Sequence, residues 1–298
     1  MWFKNLRFFR LHPDWSADAI DDAVAAHAFT PGTSQDPVVL GWAPVHDEAS
    51  LVHRVNGQIL LCAKAEKKLL PTTVINQIAR ARAKDKEAEQ GYKVGRKQMK
   101  ELKEDLITEL LPRAFSIERH VLVWIDPENK WLAVDAAAAA TSDEVMGLLA
   151  KTFELFPALP VYTEQSPSAA MTGWLADFNA PYPFSIDQDA ELRASGESRS
   201  VVRYARHNLD SDEIRKHIAD GKQCTRLALT WADKISFVLT DGLEIKRVAP
   251  TDLLSEQQEQ NSQDAAQDFD NTFVLMSAEF NTLLVELLEA LGGEKTVV

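Results

Sequence analysis

The chain has 298 residues, 45% hydrophobic and 26% charged, a composition that excludes a disordered or fibrous protein and leaves room for two or three subdomains. Its longest apolar runs, residues 59–63 and 136–140, fall far short of the roughly 20 residues a bilayer-crossing helix needs, and residues 1–7 lack the apolar stretch of a signal peptide, so a cytoplasmic protein is expected. The net charge of −13 speaks at first sight against nucleic acid, and the isolated Cys62 and Cys224 offer neither a disulfide framework nor a zinc site.

Residues 2–11 alternate aromatic and polar positions and predict a strand. Ser16, followed by Asp18 and Asp21, predicts a capped helix to about Phe29, which Pro31-Gly32 ends. Residues 42–50 read as loop, and residues 51–55 and 58–63 as strands around the Asn56-Gly57 turn. Pro71 opens a helix with Val74, Ile78, Arg82 and Lys86 at helical spacing. Gly91 and Gly95 interrupt it, and a second helix over residues 97–111 puts Leu102, Leu106 and Leu110 on one stripe before Pro112. The two form a projecting helical hairpin that must lean on the main body or on another subunit. Residues 117–125 and 131–136 predict a β-hairpin around Asp126-Pro127-Glu128-Asn129. Ser142 then opens a helix to about Phe156, residues 160–163 read as a short strand, and Ser166 or Ser168 caps a helix through Phe178. The linker over residues 179–183 marks a domain boundary. Beyond it come a strand over 200–207, a helix from Asp210 to Ala219, a meander over 225–231, 234–239 and 243–248, and an amphipathic helix over 273–291 that Gly292-Gly293 stops. The fold class is α+β.

Charge is unevenly spread along the chain. From Lys64 to Lys103 twelve cationic residues face five acidic ones, whereas beyond Pro250 ten acidic residues face Lys295 alone. Such segregation predicts one cationic and one anionic surface, although the basic run reads equally well as a solvated helix face. Dinucleotide and P-loop glycine patterns are absent, and the seven histidines never fall at metal-ligand spacing. The carboxylate pairs Asp143-Glu144 and Asp212-Glu213 sit at helix starts, where the macrodipole accounts for them. No catalytic residue, cofactor or metal is therefore assigned. What stands out is cation plus aromatic. Lys93, Arg96 and Lys97 lie in the hairpin, and Arg113 and Phe115 follow it. Arg199, Arg203, Tyr204, Arg206 and His207 lie on or near one strand, and Lys222 and Arg226 lie around the next turn. Cations spaced along a strand reach successive phosphates without any helix entering a groove. Ordinary solvated side chains remain the alternative, as does a core position for Phe115.

The opening Trp2-Phe3-Lys4-Asn5-Leu6, then Ala28-Phe29-Thr30-Pro31, Ser34-Gln35-Asp36, Gly41-Trp42, Asn56-Gly57-Gln58-Ile59 and Leu69-Leu70-Pro71, followed by Leu110-Leu111-Pro112-Arg113-Ala114-Phe115, Trp124-Ile125-Asp126, Leu227-Ala228-Leu229-Thr230-Trp231 and Glu289-Ala290-Leu291-Gly292-Gly293-Glu294, resemble the RdgC family of recombination-associated proteins from end to end. The resemblance implies a multi-subdomain, ring-shaped homodimer. A central body (residues 1–70 and 113–178) would carry a helical tip (71–112) and an α+β base (179–298). It further implies a nucleoid-associated, membrane-free, non-enzymatic protein that passes single- or double-stranded DNA through the ring without reading sequence and limits RecA-promoted strand exchange. Family binding positions carry over to Phe115, Arg206, His207 and Lys222. Where the family is lysine-rich before the Asn208-Leu209 step, this chain has Arg203, Arg206 and His207. The rival readings are a nuclease-associated enzyme and an acidic protein-interaction module.

Overall fold

The computed structural model describes residues 2–46, 49–195, 200–254 and 265–295. Its strands are β1 (Asn5–Leu11), β2 (Val38–Ala43), β3 (His53–Val55), β4 (Gln58–Lys68), β5 (Ser116–Asp126), β6 (Trp131–Val134), β7 (Ala158–Leu159), β8 (Phe184–Ala194), β9 (Val201–Tyr204), β10 (Lys222–Trp231), β11 (Ile235–Thr240) and β12 (Ile245–Pro250). They form one sheet in the order β2-β4-β5-β6-β1-β12-β11-β10-β8-β9, with β3 on β4 and β7 on β1. Every pairing between these strands is antiparallel, so the chain is α+β with an extended antiparallel sheet. Strand β1 splices the two halves: Asn5 and Leu6 pair with β12, and Arg7 to Arg10 pair with β6.

The apolar pattern of each strand follows from what covers it. In β4 five successive residues from Ile59 to Ala63 are buried because both faces of that half-sheet are covered. Ile59, Leu61 and Ala63 pack with Ile20 and Val24 of α1 (Ile20–Ala26) and Val145 and Leu149 of α4 (Ala139–Thr152). Leu60 turns the other way, into the larger core with Trp124, Trp131 and the long C-terminal helix α7 (Ala265–Ala290). In β11, by contrast, Ile235, Phe237 and Leu239 are buried and alternate with more exposed residues. That half-sheet has one face packed on α5 (Pro167–Asp177) and α7, leaving the opposite face open. The larger core joins Phe3, from the start of the chain, to Phe280 and Leu291 at its end. Between β4 and β5 stand α2 (Thr72–Gln90) and α3 (Arg96–Leu110), which form the expected hairpin; Gly91 ends α2 in the left-handed conformation at φ 78°.

Several expectations are corrected. Ser16 does not cap a helix: its hydroxyl donates to Asp18 (2.6 Å), a local bond that competes with capping, and α1 starts only at Ile20. Strand β2 occupies residues that include part of the expected loop. Ser142 is buried inside α4, which begins earlier because Ala139 and Ala140 are good helix formers. The short strand lies at Ala158–Leu159, upstream of Pro160, which has no N–H to give a ladder. Strand β8 was not expected at all. Helix α7 starts eight residues before the predicted position 273.

Gly41 explains why β2 is possible. The segment before it crosses β2 so closely that a Cβ on Gly41 would lie 2.5 Å from Phe29 Cα and 2.7 Å from Phe29 N. Trp42 N–H donates to the His27 carbonyl (2.9 Å), and Phe29 N–H donates to the Trp42 carbonyl (2.7 Å), which holds the crossing in place. Gly41→Ala is expected to destabilise the fold by about 1–3 kcal/mol, measured by denaturant unfolding, because backbone and not a flexible side chain must move.

Candidate nucleic-acid interface

The open face of the C-terminal half-sheet gathers charge. Along β8 the alternation buries Phe184, Ala190 and Leu192 and turns Asp187, Asp189, Glu191 and Arg193 to the other side. Irregularities in register crowd further polar groups onto that side. In β10 one extra residue separates Cys224 from Arg226, so that Arg226 lies opposite Glu191. In β12 an extra residue near Arg247, whose φ is 54°, places Lys246 and Arg247 together between buried Ile245 and Val248. Arg203, Arg226, Lys246 and Arg247 line one shallow depression of about 280 Å³ with Asp189 and Glu191.

Glu191 is the hinge of this arrangement. Its side chain is only 4% exposed, yet it meets Arg203 Nε at 2.7 Å and Arg193 at 3.2 Å and accepts from the Thr225 hydroxyl at 3.1 Å. Burial alone would raise its pKa. The hydrogen bonds from Arg203 and Thr225 and the charges of Arg226 and Arg203 outweigh burial and hold the carboxyl below the usual range. A depressed carboxylate pKa contributes stability that is complete above the ordinary glutamate value of about 4.3 and is lost as pH falls through the folded-state value. Other cations of the face pair with different carboxylates or with none among the described residues. Arg247 is 3.5 Å from Asp189, Lys246 is 2.7 Å from Glu244, and Arg226 makes no ion pair among the described residues. Glu191→Gln keeps hydrogen-bonding atoms while removing a negative charge from beneath three arginines. It is expected to remove the Glu191 share of the stability lost on acidification, so that the unfolding free energy falls less from about pH 7 to about pH 3 than in the unsubstituted chain, measured by denaturant unfolding at the two pH values.

A second group sits at the end of the same strands, where Tyr204 and Lys222 turn to the helix-covered side. Tyr204 hydroxyl donates to Glu213 of α6 (Asp212–Ala219) at 3.2 Å, and its ring stacks with His207 at 5.3 Å and 14°. Burial and that bond to Glu213 raise the Tyr204 pKa. Lys222 is half-buried and donates to His217 Nδ1 at 3.0 Å. Arg206 is exposed in the left-handed conformation at φ 51°, its N–H held by Asp189 at 2.9 Å.

The structure therefore brings together Arg203 and Arg226, sets Arg206 and His207 at their border, and turns Lys222 towards α6. Arg199 lies outside the described residues. Lys93, Arg96 and Lys97 are exposed at the turn end of the α2–α3 hairpin, separated from Arg113 and Phe115 by the fifteen residues of α3, about 22 Å. The hairpin as a whole, residues 72–110, carries nine cationic and seven acidic side chains, so its surplus is concentrated at that turn. Phe115 is 85% exposed, which rules out a core position within one chain; it stands with exposed Leu69 and Ile117 where the hairpin joins the sheet. Sequence reasoning missed Arg193, Lys246 and Arg247 and their carboxylate partners. The period-two alternation of residues 184–193 was the signal that would have found β8. Many C-terminal acidic residues are engaged internally: Asp270 meets His53 (2.8 Å), Glu279 meets Lys234 (2.7 Å) and Glu294 meets Arg10 (2.7 Å). Glu256, Glu259 and Asp264 lie outside the described residues. Among the described residues no helix is long and apolar enough to cross a membrane.

Fold and site together define an α+β protein with a half-covered antiparallel sheet and a cation-rich open face. The profile of the family described as "Putative exonuclease, RdgC" matches residues 1–294. The chain is 55% identical to the recombination-associated protein RdgC of Bordetella parapertussis over 100% of both chains. It is 54% identical to that of Cupriavidus necator over 99% of each, and 50% identical to that of Burkholderia cenocepacia over 99% of this chain and 97% of the relative. The chain belongs to the RdgC family, whose curated members are named as recombination-associated proteins.

Proposed function

We propose that the chain is a non-enzymatic protein that binds single- and double-stranded DNA without reading sequence, closes as a homodimeric ring around it, and limits RecA-promoted strand exchange by occupying DNA at the cytoplasmic nucleoid. The observation that carries this reading is the convergence of Arg203, Arg226, Lys246 and Arg247 on one uncovered sheet face of a chain whose net charge is −13. Arginines and lysines spread over a broad strand-built face suit contacts to phosphates, which carry no sequence information. The exposed patch of Phe115, Ile117 and Leu69 supports closure against a second subunit. Closure around DNA adds retention without new contacts. Duplexes of unrelated sequence should bind with similar affinity, and log K should fall linearly with log salt. A flat salt dependence, or strong preference for one sequence, contradicts the proposal.

The enzyme reading draws on the exonuclease description of the family and on Asp187, Asp189 and Glu191 sharing one side of β8. Each of these carboxylates is already engaged. Asp187 accepts from Thr230 at 3.0 Å, Asp189 accepts from Arg206 N–H at 2.9 Å, and Glu191 holds Arg203. Magnesium-dependent cleavage of labelled DNA that one carboxylate substitution abolishes would establish the enzyme instead.

A further inference from the structure

The loop that follows β9 is held in an unusual conformation and presents a flat ring to solvent. Arg206, a non-glycine residue at φ 51°, is locked to β8 because Asp189 Oδ1 accepts its N–H at 2.9 Å while the Gln188 carbonyl accepts the His207 N–H at 3.1 Å. A left-handed arginine persists where the surroundings over-determine it. The consequence of the lock is that His207 folds back parallel to Tyr204, 14° apart with centroids at 5.3 Å. Tyr204 is itself fixed by its bond to Glu213 (3.2 Å) and by packing against the larger core. The inner ring is thus anchored and the outer one exposed. Among the described residues, His207 makes no second aromatic contact. Asp189 also joins this loop to the cationic face, since its other oxygen lies 3.5 Å from Arg247.

We propose that the outer face of His207, held parallel to Tyr204, is a stacking seat for an unpaired nucleobase. This rests on the reading of the adjoining face as a phosphate surface. A chain whose phosphates lie along Arg203 and Arg226 brings its bases to the border of that face, where the seat stands. In a duplex each base is already stacked and paired, so the seat engages single strands and free ends and adds affinity for them. Stacking tolerates any base, in keeping with binding that does not read sequence.

The test compares an oligothymidylate with a duplex of equal length, using the full chain. His207→Ala is expected to lower single-strand affinity about tenfold and duplex affinity no more than about twofold, and His207→Phe to restore single-strand binding through its plane alone. In His207→Trp the indole fluorescence should be quenched by the oligothymidylate and not by the duplex. Thermal melting of each variant separates loss of the seat from loss of the fold. Equal losses for both DNA forms, or no loss for either, overturn the stacking seat while leaving the phosphate surface in place. A wild-type chain that binds neither form overturns the DNA-binding reading itself.

Discussion

Replacing Arg203, Arg206 and Arg226 together by alanine is expected to lower duplex affinity about a hundredfold at 0.15 M salt and to flatten the slope of log K against log salt by about 2.7. Each phosphate neutralised contributes about 0.9 to the slope, and three such contributions at that salt amount to roughly two decades in affinity. These three are chosen because their side chains are exposed on or beside the open face. Arg226 has no ion pair among the described residues, Arg206 is exposed, and Arg203 is 73% exposed despite its bond to Glu191. Lys246, held 2.7 Å from Glu244, is only 25% exposed and contributes less. Anisotropy titrations at several salt concentrations check the result. A triple variant that keeps its melting temperature and the wild-type slope would remove the open face from the account.

The second large effect is on stability. Phe280→Ala is expected to cost about 3–5 kcal/mol and to lower the thermal midpoint by at least about 6 °C. The ring is fully buried and meets three others, Trp2 at 5.6 Å, Phe3 at 6.3 Å and Trp124 at 6.1 Å, so truncation opens a cavity between the start of the chain, β5 and α7. Val285→Ala, at a 41% exposed position of the same helix, should move stability by less than about 0.5 kcal/mol. Calorimetry of the two variants decides whether α7 is bound into one core with the first residues. A small loss for Phe280→Ala would mean that the helix is docked on the sheet without being part of its core.

Legibility in the sequence varied with how many faces of an element are buried. The run of residues 59–63 and the leucines of α7 were readable because burial on both faces, or on one broad helical stripe, leaves a strong apolar signal. The α2–α3 hairpin and the β10–β12 meander were marked by turn residues at Gly91, Asp233 and Gly242. Strand β8 was hidden because Asp187, Asp189 and Glu191 lower its β-propensity, and these acidic residues are there to hold arginines and a threonine on the open face. Lys222 and Arg226 illustrate a different limit. Four residues apart in an unbroken strand they would share a face, but the extra residue between Cys224 and Arg226 reverses the alternation. One consequently reaches His217 and the other faces Glu191. A bulge leaves no composition signal, so which cations converge was decided by register and not by spacing.

Arginine modification by phenylglyoxal, read residue by residue by mass spectrometry with and without duplex DNA, locates the bound surface directly. Arg193, Arg203, Arg226 and Arg247 should be protected by DNA, while Arg54, paired with Asp21 on the far half of the sheet, should react equally in both states. Protection confined to other arginines, with Arg203 and Arg226 as reactive in the complex as in the free chain, would contradict the assignment of DNA to the open face.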